Sequence, residues 1–89
     1  MSHTHQRYIV RKIDKKQIVP FYFLKNERGE ELTGKFHGNQ LVKINLKRYR
    51  SFPVEIKKTK RGEKHLMRFE GYSKDYDQWM SPGQFVDID

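Results

Sequence analysis

Phe52-Pro53-Val54-Glu55-Ile56-Lys57-Lys58, then Thr59-Lys60-Arg61-Gly62, then Lys64-His65-Leu66-Met67-Arg68-Phe69 is the stretch that decides the fold. Phe52, Val54 and Ile56 recur at every second position, the period that places side chains on one face of a strand. Thr59-Lys60-Arg61-Gly62 is a hairpin turn, and residues 64–69 read as the returning partner. The second strand ends in Arg68-Phe69-Glu70-Gly71-Tyr72, an aromatic residue followed by a Gly-Tyr turn. Residues 73–77 form a polar loop. Residues 78–80 read as a short strand holding the chain's single tryptophan, Trp79, seven residues beyond Tyr72. Trp79 is expected to anchor the core. Ser81-Pro82-Gly83 breaks that strand, and residues 85–88 read as a last strand or a short helical turn.

The same grammar runs back toward the N-terminus. Residues 7–13, rich in β-branched and aromatic side chains, read as a strand. Pro20 opens a second strand at 21–25, at a position where proline is tolerated. Asn26-Glu27-Arg28-Gly29 is a turn with glycine where a positive φ is expected. Residues 31–36 alternate polar and apolar and are expected to pair back as a hairpin. His37-Gly38-Asn39 marks another turn, and residues 40–44 a fourth strand. No window of ten or more residues holds a period of 3.6. Short strands punctuated by Gly and Pro predict an all-β fold, a small barrel of antiparallel strands, built as one barrel or as two fused modules. Residues 1–6 lack periodicity and read as a disordered start or the remnant of a tag.

Composition narrows the function classes. The chain has 89 residues and no cysteine, so neither disulfides nor thiolate zinc sites supplement its small core. The absence of cysteine fits a reducing intracellular compartment. The longest apolar runs, such as residues 18–24, are too short to span a bilayer, and no membrane partner is expected. Charge is concentrated: residues 43–68 hold ten basic residues against Glu55 and Glu63, and this net +8 equals that of the whole chain. That is the electrostatic footprint of a polyanion partner, although a solubilising face gives the same count. Lys57, Lys58, Lys60 and Arg61 ring one hairpin and Lys64 follows it. Lys47, Arg48 and Arg50 lie on the connector before it, with Tyr49 placed either to stack on a base or to close the joint between modules. These nine residues are the expected contacts to a DNA or RNA phosphate backbone. Nothing points to catalysis, a metal or another cofactor: His37 and His65 are isolated, and no nucleophile–base spacing or phosphate-binding Gly-rich loop occurs.

Two resemblances sharpen this reading. Phe52-Pro53-Val54-Glu55, the basic hairpin, Arg68-Phe69-Glu70-Gly71-Tyr72, Trp79 and Pro82 together resemble a chromodomain, with Phe69 where that family has tryptophan. Phe21-Tyr22-Phe23-Leu24-Lys25, Arg28-Gly29-Glu30, Thr33-Gly34-Lys35-Phe36 and Leu41-Val42-Lys43 resemble the SH3-like C-terminal domain of retrotransposon and Polinton-type integrases, which can carry a chromodomain directly afterwards. The resemblance implies an SH3-like element over residues 7–46 and a chromodomain-like module over 50–89. It implies a nuclear, non-catalytic module that tethers an integrase-like enzyme to DNA or chromatin, any catalytic core lying outside this chain. It also places Phe52, Phe69 and Tyr72 at methyl-lysine cage positions, with Tyr76 as a further wall, for a partner such as the histone H3 tail. Aromatic faces hold a trimethylammonium group by cation–π attraction, and phenylalanine is a weaker partner than tryptophan. Phe52 and Phe69 read equally as core residues. The acidic stretch Glu70, Asp75, Asp77, Asp87 and Asp89, opposed after residue 68 only by Lys74, would attract a basic tail. Gly71-Tyr72 through Asp77-Gln78-Trp79 is similar as well to the chromo-barrel or Tudor-knot ending, which implies instead a histone reader or protein-interaction module with no nucleic-acid role.

Overall fold

Tyr8–Asp14 (β1) explains the architecture, because two adjacent residues in it, Ile9 and Val10, are each only 1% exposed. Successive side chains of a strand point to opposite faces. Full burial of both therefore requires cover on both sides of β1. The computed structural model describes residues 6–44, 46, 50–81 and 86–89, and shows that cover. Expectations on residues 1–5, on Lys47, Arg48 and Tyr49, and on Pro82, Gly83 and Phe85 lie outside the described residues.

The further strands are Phe21–Asn26 (β2), Phe36–His37 (β3), Leu41–Lys43 (β4), Pro53–Lys58 (β5), His65–Phe69 (β6), Gln78–Met80 (β7) and Val86–Ile88 (β8). A five-stranded sheet runs β3-β2-β1-β8-β4 and a three-stranded sheet runs β5-β6-β7, antiparallel throughout. The described residues thus form the small all-β, barrel-like fold that the turn spacing predicts. On one side of β1, Ile9 packs with Leu46, Met67, Phe69 and Met80. On the other, Val10 packs with Tyr22, Leu24, Leu41 and Val86, and Phe52 and Val54 lean on that cluster. Both clusters draw on residues from either side of position 50. The last strand, β8, pairs with β1 and β4, so the C-terminus closes the sheet begun by the N-terminal half.

Four local expectations change. Residues 31–36 pair back on β2 as expected, but not as one continuous strand: a bridge joins Lys25 to Glu31, Leu32 N–H donates to the Leu24 carbonyl, Gly34 at φ 90° interrupts the run, and regular pairing resumes only at Phe36, opposite Tyr22. Residues 38–40 form a 3₁₀ turn, so the strand expected at 40–44 begins at Leu41, and residues 74–76 form a second such turn within the polar loop. The alternation of Phe52, Val54 and Ile56 ends at a bulge between Glu55 and Lys57, which leaves Ile56 42% exposed. Trp79 does not anchor the core; it is 48% exposed. In the three-residue β7, Met80 takes the inward position at 3% exposure, and the alternation turns Trp79 outward beside Leu66. Phe69, Met67 and Met80 fill the space that the tryptophan was expected to fill.

Candidate nucleic-acid interface

Two tight turns face each other across a cleft. In the first, the Asn26 carbonyl accepts from Gly29 N–H at 3.0 Å, and its side-chain Oδ1 accepts from the backbone N–H groups of Arg28 and Glu30 at 3.0 and 2.9 Å. Gly29 takes φ 87°, the left-handed conformation that glycine adopts without a Cβ clash. In the second turn the Thr59 carbonyl accepts from Gly62 N–H at 2.9 Å, and Thr59 Oγ1 accepts from the N–H groups of Glu63 and Lys64 at 3.1 and 3.2 Å. Both turns are pinned by their own side chains, so the charged residues they display start from fixed backbone positions.

Between them lies a cleft of about 230 Å³. Glu27, Arg28 and Gly29 form one wall and Lys58, Lys60, Arg61 and Gly62 the other, over a floor of Ile9, Lys25 and His65. The walls are close: a Cβ on Gly29 would lie 3.9 Å from Lys58 Nζ. On the rim, Arg28, Lys58, Lys60 and Arg61 oppose Glu27 alone. A larger groove of about 510 Å³ between residues 6–8 and the first turn is mixed in sign, with Arg7 and Arg28 against Glu27 and Glu30.

The floor is built differently. Glu55 bonds both Lys25 Nζ and His65 Nδ1, with the Lys25 and Glu55 side chains 11% exposed and that of His65 3%. Burial pushes the Glu55 carboxyl up, but the hydrogen bonds from Lys25 and His65 and their charges outweigh it, and the pKa falls below the ordinary carboxylate value. Glu55 is thus held ionised and its charge is spent beneath the rim, so it does not offset the rim cations; the carboxylates near them are Glu27 on the rim and Glu30, which stands 4.0 Å from Arg28.

Of the expected phosphate contacts, the structure brings Lys58, Lys60 and Arg61 into the cleft. Lys57, Lys64 and Arg50 are exposed outside it. Lys57 Nζ lies 5.7 Å from the centre of the Trp79 ring. Lys47, Arg48 and Tyr49 lie outside the described residues. Sequence reading missed Arg28, Lys25 and His65. The register Lys58↔His65 follows once the Gly62 turn is placed, so His65 was within reach of a hairpin argument. Arg28 was not, because only tertiary packing sets one turn against the other.

The expected cage residues are distributed otherwise. Phe69 is 1% exposed in the first cluster and offers no open face. Phe52 packs edge-on against Tyr22 at 5.1 Å, with Lys43 Nζ 5.1 Å from its ring centre, so its cation–π position is held by the protein's own lysine. Tyr72 contacts Phe69 edge-on at 6.4 Å and Tyr76 at 5.5 Å, and Tyr76 is exposed. The acidic stretch is partly neutralised: Arg68 grips Asp77 through two nitrogens at 2.8–3.3 Å, and Lys15 pairs with Glu70 at 2.8 Å. The Arg68 contact holds the Asp77 carboxyl below its ordinary range. Comparison with protein-family models, with curated proteins and with solved structures found no match to this chain.

Proposed function

We propose that the chain is a non-catalytic nucleic-acid-binding module that holds a phosphate backbone in the cleft between its two turns. The observation that carries the reading is the convergence of Arg28 with Lys58, Lys60 and Arg61 around that cleft, in a chain whose whole excess charge lies in residues 43–68. Backbone binding of this kind is driven by counterion release and is indifferent to sequence. The integrase-like resemblance supports a tethering role, in which this module keeps an attached enzyme on nuclear DNA. Burial of Phe69 and the Lys43 ammonium over Phe52 disfavour a methyl-lysine cage built on those rings, so histone reading is not part of the proposal.

The test is fluorescence anisotropy with a short labelled DNA duplex across a salt series. Four phosphates neutralised by the rim give a slope of log affinity against log salt of about −3.6. Replacing Lys58, Lys60 and Arg61 together with glutamate abolishes binding. Arg28→Ala makes the slope shallower by about 1. An unchanged affinity in the triple variant rejects the proposal; an unchanged slope in Arg28→Ala moves the site out of the cleft.

A further inference from the structure

The outward face of the smaller sheet carries a feature that phosphate binding leaves unused. Lys57, Leu66 and Trp79 stand in one row across β5, β6 and β7 by strand register, on the side away from the buried His65, Met67 and Met80. Trp79, the only tryptophan, is 48% exposed, and the bulge leaves Ile56 42% exposed beside Lys57. Lys57 Nζ sits 5.7 Å from the tryptophan ring centre, over its electron-rich face. Leu66, the middle of the row, lies two residues from Lys64, and the hairpin it belongs to carries Lys57, Lys58, Lys60, Arg61 and Lys64 against Glu63 in its turn and the buried, paired Glu55.

We propose that Trp79, with Leu66 and Lys57, is a stacking platform for an unpaired nucleobase, so that the ligand of the basic hairpin is single-stranded nucleic acid. The inference rests on the phosphate reading and specifies its substrate. An indole face is the broadest stacking surface a side chain offers, and stacking tolerates any base because every base has a π-face. When a base arrives on the ring, the Lys57 ammonium is displaced toward the adjoining phosphate, so the residue that caps the ring in the free protein becomes a backbone contact in the complex. The charge on the hairpin favours this occupant over an apolar protein surface, which would have to desolvate five cations to reach the indole. In a duplex the bases are already stacked on one another and cannot lie on the ring without being extruded.

Trp79 is its own reporter. The full chain is titrated with a thymidine oligonucleotide of about 12 nucleotides, within the usual span of such sites, with an abasic deoxyribose-phosphate oligomer of the same length, and with a short duplex. Tryptophan emission and the anisotropy of the labelled ligands are read together. The thymidine oligomer is expected to quench Trp79 and to bind about tenfold more tightly than the abasic one, the scale of one base–aromatic stack. Trp79→Ala removes that preference and leaves abasic binding unchanged, while Trp79→Phe keeps part of it; circular dichroism verifies that both variants fold. Equal affinity of the native chain for thymidine and abasic oligomers overturns the stacking inference and leaves the phosphate reading standing. Binding of none of the three polymers overturns both. Self-association abolished by Trp79→Ala in sedimentation, together with equal oligomer affinities, assigns the face to a second copy of the chain and likewise overturns stacking.

Discussion

Replacing Glu55 with alanine tests the reasoning at its most exposed point, because one carboxylate serves both the core and the floor of the cleft. Its side chain and that of Lys25 are 11% exposed, and His65 is 3% exposed. The substitution leaves the Lys25 ammonium with little water and no counter-charge. Removing one partner of a buried pair costs about 3–5 kcal/mol. The cleft gives Lys25 a route to solvent, so the lower end, about 3 kcal/mol, is expected. A domain of this length has a total stability of about 4–13 kcal/mol, so the variant stands near its folding threshold. Urea denaturation followed by tryptophan emission and circular dichroism reads the effect: at about 1 kcal/mol per molar for a small domain, the midpoint falls by about 3 M. The apolar triple variant Lys25→Met, Glu55→Leu, His65→Leu is expected to recover most of that loss, since a buried ionic group replaced as a whole is often neutral. The pH dependence has a definite sign. Glu55 has a folded pKa depressed below its ordinary 4.5. Its contribution is fully present above that ordinary value and is lost as pH falls through the lower folded value. Stability of the native chain therefore drops on acidification below about pH 4.5, and Glu55→Gln removes that part of the profile. A loss under about 1 kcal/mol in Glu55→Ala, the level of an exposed pair, refutes the network as described.

The swap of aromatic roles gives a paired test. Phe69→Ala costs about 3–5 kcal/mol by emptying the first cluster, whereas Trp79→Ala costs about 1 kcal/mol, the scale of a cross-strand contact with Leu66; thermal denaturation of both variants checks the order, and equal losses contradict the outward placement of Trp79. Gly62→Ala forces a Cβ into φ 69° with nothing within 4 Å of it, so its cost of about 1–2 kcal/mol is backbone strain alone. A neutral effect in urea denaturation would show that the second turn adopts another conformation.

The period-two runs and Gly-centred turns made the strands legible, and they gave β1, β2, β5, β6 and β7 within a residue or two at each end. What escaped was everything set by irregularity or by distance along the chain. The bulge at Glu55 and Lys57 has no sequence marker, yet it decides that Ile56 faces out. Trp79 looked like a core residue because it is the chain's single tryptophan. In a strand of three residues only alternation decides which side chain goes in, and Met80 occupies the inward position. The basic hairpin was legible as charge, but a cleft needs a second wall. Arg28 stands thirty residues before Lys58, joined to it only by the packing of two turns.

The buried network and the cationic rim depend on one another. A carboxylate left unpaired beneath Arg28, Lys58, Lys60 and Arg61 would cancel one of their charges and draw a rim lysine inward. By bonding Lys25 and His65 instead, Glu55 becomes electrically silent toward the cleft while tying β2, β5 and β6 together at the point where the two turns emerge. The same contacts that hold the strands thus fix the separation of the walls. This arrangement yields a consequence that separates it from a surface of scattered charges. Lys25→Met with Glu55→Leu leaves the rim residues in place and removes no net charge, so a site defined by charge alone keeps its affinity for polyanions. A site defined by the cleft loses affinity in proportion to any change in wall spacing, and the salt slope, which counts phosphates, falls with it.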